Sequence, residues 1–545
     1  MEDFLVGGHV VARALRNEGV GTVYTLCGGH VMPIYDGCLR EGIAIVDMRH
    51  AQAAVHAADA HARLTRTPGV AVLSAGSGIT DGVTAVAGAR RAEVPLVVIG
   101  GALEQRGAGR MAHPDEGPMA LKAVAKWSAT VTLPARLPEV VATAFRVARS
   151  GVPGPVFLEL PLDVLAAQVR SPHFPERSRF LSRTQLDPDG VAAAEQILDG
   201  AERPIVLAGS QVWWDEAAES LRALVDRHGL PTFLLGMARG ALPSSHPLSF
   251  SLSREHAMGR ADCVLLLGAP DDRASFGATM GPAARLIHFD RDPLRLGEMR
   301  AEAVGIAGDV RSNIEALDRA LTAPPAGAFG AWLDELRTTE NAARSAIQRF
   351  ALDDGRPANH YRFGRAIAEA IDRDTILVAD GGDVVDCALK MIPLEAPGLV
   401  LDAGPLATTG VGPPYALAAR LLHPERKVLI VAGDGAFGAG GIELESCIRH
   451  KLPVVCIVGN DAAWGRVRTP QIMLYGEERA PATKLSSTRY DRVIEALGGR
   501  GEHVEDPREI TAALKRGFAS QHTYCIDVAL EPNFMLRSGA ARISE

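Results

Sequence analysis

Short apolar runs alternate with amphipathic segments along most of the chain. Between residues 8 and about 165, the runs "TVYTLCGG", "AIVDMR", "GVAVLSAGSG", "VPLVVIGG" and "GPVFLELP" have the length and composition of buried strands. Segments with helical spacing of apolar positions separate them, including "GGHVVARALRNEG" and residues 51–63. Strands that are apolar throughout and separated by helices are typical of a parallel sheet covered on both faces.

The same alternation returns twice further along the chain. Residues 191–321 contain the runs "RPIVLAGS", "CVLLLGAP" and "RLIHFDRDP", and residues 360–532 contain "TILVADGG", "KVLIVAGDG", "LPVVCIVGND" and "TYCIDVALEP". The polar or Pro-rich stretches "RSPHFPERSRFLSRTQLDPDG" and "TAPPAGAFG" indicate linkers between the units. The sequence therefore predicts three open, doubly wound α/β domains at 1–170, 188–325 and 355–535, with a C-terminal tail at 536–545.

Composition and charge limit the kinds of molecule that we expect this chain to bind. Apolar residues make up 47% of the chain and aromatic residues 5%, which fits close packing of helices on sheets. The net charge of -8 includes no long run of one sign, so neither a nucleic-acid footprint nor a polybasic membrane patch is present. No apolar run approaches the roughly 20 residues that span a bilayer, and the first residues lack the order of a signal peptide. We therefore expect a small-molecule substrate, no nucleic-acid or membrane partner, and a cytoplasmic protein.

The seven cysteines indicate a reducing compartment. They form no Cys-x-x-Cys pair, and several lie in apolar runs such as "PVVCIVG". We expect them to be buried free thiols.

The clearest candidate ligand-binding residues lie in the stretch "KVLIVAGDGAFGAGGIELESCIRHKLPVVCIVGNDAAWG". Asp434 is expected at the end of one buried strand and Asn460 and Asp461 at the end of the next, with a helix at about 440–450 between them. Both strand ends then lie at the carboxyl edge of the sheet, where open α/β folds bind ligands. Asp434, Asp461 and the carbonyl of Ala463 would suit Mg²⁺ bridging to a diphosphate. Phosphate could approach the backbone at five glycines, Gly433, Gly435, Gly438, Gly440 and Gly441.

Taken alone, GDG is also a common turn at a strand end, but the wider pattern is more specific. Asp461 follows Asp434 by 27 residues, which resembles the diphosphate-and-metal motif of thiamine diphosphate enzymes. The stretch "RHAQAAVHAADAHARLTRTPGVAVLSAGSGITDGVTAVAGARRAEVPLVVIGG" resembles the pyrimidine-binding domain of the acetolactate synthase-like branch, and the likeness runs nearly end to end. Within that branch the chain looks most like benzaldehyde lyase, 2-hydroxyacyl-CoA lyase and oxalyl-CoA decarboxylase.

The resemblance implies a domain order, two cofactors and a reaction class. The order is pyrimidine-binding, central and diphosphate-binding, with thiamine diphosphate and Mg²⁺ held between the first domain of one subunit and the third of another. A homodimer is then the minimum unit, and a homotetramer is expected. The implied reaction makes or breaks the carbon-carbon bond next to a carbonyl of a 2-oxo acid, acyloin or 2-hydroxyacyl-CoA. The implied cofactor-binding residues are Gly433, Asp434, Gly435, Ala436, Asn460 and Asp461, with Asp434, Asp461 and Ala463 as metal ligands.

One residue differs from the family pattern at a position that is catalytic in the family. The family pattern is Arg-His-Glu, and here Arg49, His50 and Ala51 occupy it. That Glu hydrogen-bonds the aminopyrimidine ring and favours the tautomer that removes the thiazolium proton. Ala51 would lie against the pyrimidine but can neither donate nor accept a proton. Either the enzyme works without the Glu, as glyoxylate carboligase does, or catalysis has been lost and the chain binds cofactor or keeps the fold as a partner subunit. We favour an active enzyme because the metal and diphosphate residues are present.

Other departures lie near the expected cofactor. Thr409 stands where relatives carry a bulky apolar residue that props the cofactor, and Asp461 stands where they usually have Asn. Thr409 and the pair Pro413-Pro414 favour the non-catalytic alternative.

Three residues are candidates for proton transfer or substrate binding. His30, in "YTLCGGHVMP", lies at a strand-to-helix turn where relatives place a substrate-contacting His, although a His at a helix start is as often structural. His113, in "MAHPDEGPM", replaces a Gln that contacts intermediates. Arg466 follows "AAWG" and would clamp an anionic substrate, unless it is a solvated loop arginine. Whether the central domain binds CoA, another nucleotide or FAD is left open by the sequence.

Overall fold

Three six-stranded parallel sheets form the framework of the molecule. The computed structural model describes residues 4–104, 117–177, 187–269, 280–298, 304–325 and 327–538. Within them, every pairing in the three large sheets is parallel, which confirms the predicted three α/β units. No helix in the described ranges combines the length and apolar character needed to cross a membrane.

The first sheet belongs to the first α/β unit. Its strands are β2 (Thr22–Thr25), β3 (Ala44–Asp47), β4 (Gly69–Leu73), β5 (Leu96–Ala102), β6 (Trp127–Thr130) and β7 (Pro155–Pro161), in the order β3-β2-β4-β5-β7-β6. A separate antiparallel pair joins β1 (Phe4–Val6) to β8 (Gln168–Arg170). The helices are α1 (Gly7–Asn17), α2 (Met32–Glu41), α3 (Ala51–Thr65), α4 (Ser77–Arg91), α5 (Gly117–Val124), α6 (Leu137–Arg149) and α7 (Leu162–Ala166). The apolar pattern does not predict β1, β6 or β8, because all three are short and partly exposed.

The central sheet has the strand order of doubly wound nucleotide-binding folds. Its strands are β9 (Pro204–Ala208), β10 (Thr232–Leu234), β11 (Ser249–Phe250), β12 (Cys263–Leu267), β13 (Arg285–Asp290) and β14 (Val304–Ala307), in the order β11-β10-β9-β12-β13-β14. The helices within the described residues are α8 (Pro188–Asp199), α9 (Gln211–Trp214), α10 (Ala218–His228), α11 (Arg254–Arg260) and α12 (Val310–Ala320). The long helix α13 (Gly330–Ala351) leads to the third unit.

The third sheet has the order β16-β15-β17-β18-β20-β19. Its strands are β15 (Ile376–Asp380), β16 (Val400–Asp402), β17 (Val428–Gly433), β18 (Val455–Asn460), β19 (Arg500–Val504) and β20 (Tyr524–Ala529). The helices are α14 (His360–Ala368), α15 (Asp383–Met391), α16 (Gly412–Leu422), α17 (Asp434–Gly440), α18 (Leu444–Arg449), α19 (Gly465–Tyr475), α20 (Tyr490–Ala496), α21 (Ile510–Ala519) and α22 (Phe534–Ser538). Two short helices, α17 and α18, joined by a 3₁₀ turn at Gly441–Glu443, replace the single helix predicted at 440–450.

The first and third sheets share one topology. When the strands of each sheet are numbered in chain order, both sheets have the order 2-1-3-4-6-5. In such a sheet the chain reverses its winding between strands 1 and 3, and ligands bind at the carboxyl ends of the strands on either side of that point. Here those strands are β2 and β4 in the first sheet and β15 and β17 in the third. The fold therefore offers two related ligand-binding edges.

The first and third units pack directly against each other through α3 and α16. His56 and Arg63 of α3 both lie against the ring of Tyr415 on α16, and alanines from the two helices share one buried core. Small side chains let two helices approach closely, which explains the alanine-rich sequence of both. The start of α3, where Ala51 lies, is thereby held beside the third sheet.

The cysteine prediction is largely confirmed. Six of the seven thiols are buried and unpaired, whereas Cys27 is exposed. Cys27 follows β2 at the carboxyl edge of the first sheet, outside the apolar core.

Candidate functional site

The candidate site begins where three neighbouring strands of the third sheet end. β15, β17 and β18 lie side by side in that sheet and end at Asp380, Gly433 and Asn460. Because the strands are parallel, all three ends lie at the same edge. β15 and β17 flank the point where the winding reverses, so the predicted motif occupies the ligand-binding edge of the fold.

Asp434 joins two of these strand ends. It is the first residue of α17 and is almost fully buried. Its Oδ1 accepts a hydrogen bond from the backbone N–H of Gly435 at 2.9 Å, and its Oδ2 accepts one from Ala463 N–H at 3.2 Å. Burial raises the pKa of Asp434 to about 6 despite these bonds. Asp434 therefore holds the turn after β18 against the start of α17.

Asp461 is a second buried carboxylate beside the first. Burial, and after it the charge of Asp434, raises the pKa of Asp461 to about 7, and Asp383 adds a further repulsive charge. Its Oδ2 lies 3.8 Å from Nε2 of His360. Carboxylates that repel one another in a site with little water are stabilised by a cation, and oxygen ligands suit Mg²⁺. The residues present therefore fit a Mg²⁺ site at Asp434 and Asp461.

Asn460 holds the turn that carries Asp461. Its Nδ2 donates to the carbonyl of Thr488 and to Oδ1 of Asp527, both at 2.9 Å. Its Oδ1 accepts from the N–H of Ala462 at 3.3 Å, and Ala462 has a left-handed φ of 55°. These contacts bend the chain sharply after β18, so that Ala463 reaches Asp434.

Two glycines of the motif play different parts. No atom lies within 4 Å of the position that a Cβ would take at Gly433, so the end of β17 is open to an approaching phosphate. At Gly435 the same Cβ would lie 2.7 Å from the ring of Trp464, so glycine is required there by close packing. Ala436 follows inside α17 and is buried.

Thr409 lies on an exposed loop that the third sheet anchors. The carboxylate of Asp380 accepts hydrogen bonds from the backbone N–H groups of Gly410 at 3.0 Å and Gly412 at 2.7 Å. Gly410 in turn lies against Gly440 at the end of α17. The loop is therefore fixed between the ends of β15 and α17, and the Thr409 side chain remains exposed.

Arg466 lies at the same edge but is paired. Its guanidinium binds the carboxylate of Asp386 and lies 3.4 Å from Oδ1 of Asp383, while the side chain is 63% exposed. A substrate anion would have to share this guanidinium with two carboxylates.

His30 occupies the corresponding point of the first sheet. It follows β2, and its Nδ1 lies 3.1 Å from Oγ of Ser74, which follows β4. A Cβ at Gly28 would lie 2.2 Å from Ser74, so the turn has no room for a larger residue. His30 is therefore a half-buried side chain at the second ligand-binding edge of the molecule.

Ala51 is fully buried as the first residue of α3. Side chains of the third unit bind the turn that precedes Ala51. Oε2 of Glu443 accepts the backbone N–H of Arg49 at 3.1 Å, and Arg449 donates to the Asp47 carboxylate at 2.6 Å. The 3₁₀ turn and helix that follow the GDG motif thus position Ala51.

The predicted residues form two groups. Gly433, Asp434, Gly435, Ala436, Asn460, Asp461, Ala463, Thr409 and Arg466 lie at one edge of the third sheet, and His30 and Ala51 follow strands of the first sheet. Within the described ranges, no hydrogen bond or ion pair joins His30 or Ala51 to Asp434 or Asp461. His113 lies outside the described residues.

The sequence interpretation missed four residues of the site: Asp380, Asp383, His360 and Glu443. "ADGGD" at 379–383 ends a buried strand with glycines and acids, as GDG does, and the same reasoning applied to it finds Asp380 and Asp383. Glu443 and His360 carry no local signal, because their partners are distant in sequence.

Family comparisons agree with this architecture. Thiamine pyrophosphate enzyme models match the chain in three places: the N-terminal TPP binding domain at residues 5–122, the central domain at 191–317 and the C-terminal TPP binding domain at 380–528. The chain belongs to the family of thiamine pyrophosphate (thiamine diphosphate) enzymes.

Similar proteins include two kinds of enzyme in this family. The chain is 38% identical over 537 residues to a probable acetolactate synthase of Mycobacterium bovis and to the acetolactate synthase large subunit IlvG of Mycobacterium tuberculosis, with 96% of each chain covered. It is 34% identical over 542 residues to 2-hydroxyacyl-CoA lyase 2 of Bos taurus, which covers 91% of this chain and 84% of the relative.

Proposed function

We propose that this chain is a thiamine diphosphate- and Mg²⁺-dependent enzyme that makes or cleaves a carbon-carbon bond next to a carbonyl. The proposed substrate is a 2-oxo acid, an acyloin or a 2-hydroxyacyl-CoA. The observation that carries the proposal is the pair of buried carboxylates, Asp434 and Asp461, at the ligand-binding edge of a thiamine diphosphate-binding domain. The names of the similar enzymes support both the lyase and the carboligase reaction.

The chain's own residues would bind and orient the cofactor. Asp434, Asp461 and the carbonyl of Ala463 would hold Mg²⁺, and the open backbone at Gly433 would receive the diphosphate. When bound, thiamine diphosphate supplies the electron sink next to the substrate carbonyl. Thr409, on its anchored loop, would contact the cofactor from the side of β15.

His30 and Arg466 are the proposed substrate-facing groups, and His113 remains a candidate outside the described residues. His30 is held by Ser74 and keeps its second ring nitrogen for a substrate oxygen. A substrate carboxylate would displace Asp386 from the guanidinium of Arg466 and bind in its place.

We further propose that the enzyme is active without a glutamate at position 51. The support is the pair of buried carboxylates at the edge of the third sheet, Asp434 and Asp461, which would hold the metal. The alternative, a cofactor-binding homologue that serves as a partner subunit, predicts the same cofactor binding but no proton exchange. A homodimer as the minimum unit, a homotetramer as the full assembly and a cytoplasmic location complete the proposal.

The experiment measures calorimetric binding of thiamine diphosphate with Mg²⁺, together with proton exchange at the thiazolium carbon by NMR. We expect binding and measurable exchange in the natural protein, and turnover when pyruvate or a 2-hydroxyacyl-CoA is added. Binding without exchange would favour the non-catalytic alternative, and absence of binding would refute the cofactor assignment.

A further inference from the structure

The side-chain amide of Asn460 uses both of its polar atoms, and this fixes its orientation. Its Oδ1 accepts a hydrogen bond from the N–H of Ala462 at 3.3 Å. Its Nδ2 donates to the carbonyl of Thr488 and to Oδ1 of Asp527, both at 2.9 Å. Turning the amide over would place its oxygen against two acceptors and its NH₂ group against a donor. The orientation of the amide therefore depends on its two acceptors.

One of these acceptors, Asp527, is a carboxylate in the interior of the third sheet. Asp527 lies within β20, in register with Val458 of β18 and His503 of β19, and its side chain is fully buried. Its Oδ1 accepts from Asn460, and its Oδ2 lies 2.9 Å from Nδ1 of His503. Both carboxylate oxygens are thus engaged. A hydrogen bond to a charged acceptor is stronger than one to a neutral carbonyl such as that of Thr488.

Asp527 is also the more rigid of the two acceptors. Strands on both sides hold its backbone, because β20 lies between β18 and β19. Thr488, in contrast, lies in an irregular segment at 485–489 that precedes α20. Regular structure with neighbours on both sides opens less readily than an irregular segment. Asp527 therefore fixes the Asn460 amide relative to the sheet.

The side chains around Asp527 also have the spacing of a metal site. Asp491, His503 and Asp527 offer ligand atoms within 4.8 Å of one another. Arg489, however, binds both carboxylate oxygens of Asp491, at 2.9 and 2.7 Å. The Asp527 carboxylate is divided between His503 and Asn460. The group therefore has the bonding of a hydrogen-bond network that supports Asn460.

The contacts continue from Asn460 to the two metal-binding carboxylates. Ala462, which donates to the Asn460 amide, has a left-handed φ of 55°, a conformation that is unfavourable for a residue with a Cβ. The same turn brings the N–H of Ala463 to 3.2 Å from Oδ2 of Asp434. Asp461 lies between Asn460 and Ala462 in the chain, so the direction of its side chain depends on this turn.

We propose that Asp527 is a positioning residue for the metal site, because it fixes the Asn460 amide and through it the turn that carries Asp461. The proposal rests on the proposed function, in which Asp461 and the carbonyl of Ala463 hold Mg²⁺. His503 keeps the Asp527 carboxylate turned so that its other oxygen faces Asn460. A strand outside the GDG motif thereby determines how tightly the metal and its diphosphate are bound.

Three substitutions separate this hydrogen bond from the stability of the fold. Asp527→Leu removes the acceptor and keeps a branched side chain in the strand. Asp527→Asn keeps an oxygen for Asn460, and a neutral His503 can accept from the new amide. Asp491→Leu is the matched control, because Asp491 is also buried in this group but bonds to Arg489. Calorimetry of thiamine diphosphate at several Mg²⁺ concentrations measures affinity, and urea unfolding of the cofactor-free protein measures stability.

We expect Asp527→Leu to lower the Mg²⁺-dependent affinity for thiamine diphosphate at least about tenfold, equal to about 1.4 kcal/mol. Asp527→Asn should stay within about threefold of the natural protein, because the bond from Asn460 is kept. Asp491→Leu should also stay within about threefold, even though it unfolds at a lower urea concentration. Asp527→Ala removes the same acceptor and replaces Asp527→Leu in the comparison if that variant does not fold.

A double-mutant cycle measures whether Asp527 acts through Asn460. Asn460→Ala should lower the affinity by itself, because the turn loses the amide. Adding Asp527→Leu to Asn460→Ala should then cause less than about a twofold further loss, since the bond between the two side chains is already gone.

Three results would overturn the proposal. They are an affinity in Asp527→Leu within about threefold of that of the natural protein, an equal loss in Asp491→Leu, and a full further loss when Asp527→Leu is added to Asn460→Ala. The last two results would assign Asp527 a general structural role. Failure of the natural protein to bind thiamine diphosphate with Mg²⁺ would instead refute the proposed function. The same cycle measured by urea unfolding would then still decide whether Asn460 and Asp527 are coupled.

Discussion

At the scale of single residues, two buried carboxylates of the third unit, Asp380 and Asp434, are held by backbone N–H groups. Within the described residues, the carboxylates of Asp380 and Asp434 accept hydrogen bonds from backbone N–H groups alone, and burial raises the pKa of both to about 6. Burial, and after it the neighbouring charge of Asp434, raises the pKa of Asp461 to about 7. Backbone donors fix the orientation of a carboxylate without neutralising it. Such an arrangement keeps negative charge available for a cation.

Replacing Asp461 tests the metal assignment. Asp461→Asn keeps an oxygen ligand at the same point, so we expect Mg²⁺-dependent cofactor affinity within about tenfold of the natural protein. Asp461→Ala removes the ligand and should lower the affinity by about one hundredfold, or about 2.8 kcal/mol. Calorimetric titration of thiamine diphosphate at several Mg²⁺ concentrations measures both. Equal affinities in the two variants would show that Asp461 does not bind the metal.

His56 makes the stability of the fold depend on pH. Burial in α3, next to the charge of Arg63, lowers its pKa to about 3. Below pH 6.5 the unfolded chain binds a proton at this residue and the folded chain does not, so stability falls as pH falls from about 6.5 towards 3. One such group contributes up to about 1.4 kcal/mol per pH unit.

His56→Gln should reduce the dependence of unfolding free energy on pH by up to about 1.4 kcal/mol per pH unit. Urea unfolding between pH 4.5 and 7 measures the slope, and His522→Gln, at an exposed position, serves as the control. A slope in His56→Gln equal to that of the natural protein would contradict the assignment.

At the scale of elements, the turn from β17 into α17 determines the shape of the site. Gly435 allows the ring of Trp464 to lie directly on the backbone, and Trp464 precedes α19, which begins with Gly465 and carries Arg466. The turn after β18 is thereby packed onto the start of α17. The spacing between Asp434 and Asp461 depends on this contact, because a rigid ring allows little adjustment.

Gly435→Ala should therefore disturb the site more than a nearby substitution of the same kind. The added Cβ would lie 2.7 Å from the Trp464 ring, which we expect to cost about 1–3 kcal/mol and to lower metal-dependent cofactor affinity. Gly438→Ala, in the same helix, meets no atom within 4 Å and should leave stability unchanged or raise it by about 0.5–1 kcal/mol. Thermal unfolding and calorimetry compare the two, and equal losses in both variants would refute the packing argument.

At the scale of the whole molecule, one buried arginine connects all three units. Arg63 on α3 pairs with Asp59 at 2.5 Å and donates to the carbonyl of Asp402 in the third unit at 3.1 Å. Asp402 also pairs with Arg239 of the central unit, and Trp213 of that unit donates to the carbonyl of Arg63. The units are therefore held in a fixed arrangement, with α3 at the centre of it.

Replacing Arg63 should lower the free energy of unfolding unless Asp59 is replaced as well. Arg63→Met leaves Asp59 buried without a counter-charge, and we expect a loss of about 3–5 kcal/mol in the free energy of unfolding. The double variant Arg63→Met with Asp59→Leu should recover most of that loss, because two apolar side chains need no ion pair. Urea titration measures both changes. A double variant no more stable than Arg63→Met would show that the pair is not the source of the cost.

Much of the local structure could be predicted from the sequence. The buried strands β2, β4, β5 and β7, the helix beginning at Ala51, and the strand ends carrying Asp434 and Asp461 all appear where the apolar pattern indicates. Short or half-exposed strands such as β6 were missed because two or three apolar residues do not establish a period. The helix predicted at 440–450 divides in two, because the glycine-rich residues 438–441 weaken a continuous helix.

The sequence by itself therefore determined the elements, their grouping into three α/β units and the placing of acids and glycines at strand ends, because those features depend on residues a few positions apart. Only the tertiary structure decided the shared order of the first and third sheets, the pairing of Asp434 with the turn at Ala463, and the contact of Glu443 with Arg49. Glu443 and Arg49 are 394 residues apart in the sequence, so no local pattern links them. Their contact exists because α3 packs against the third unit, and that packing results from the free energy of burying the whole alanine-rich interface.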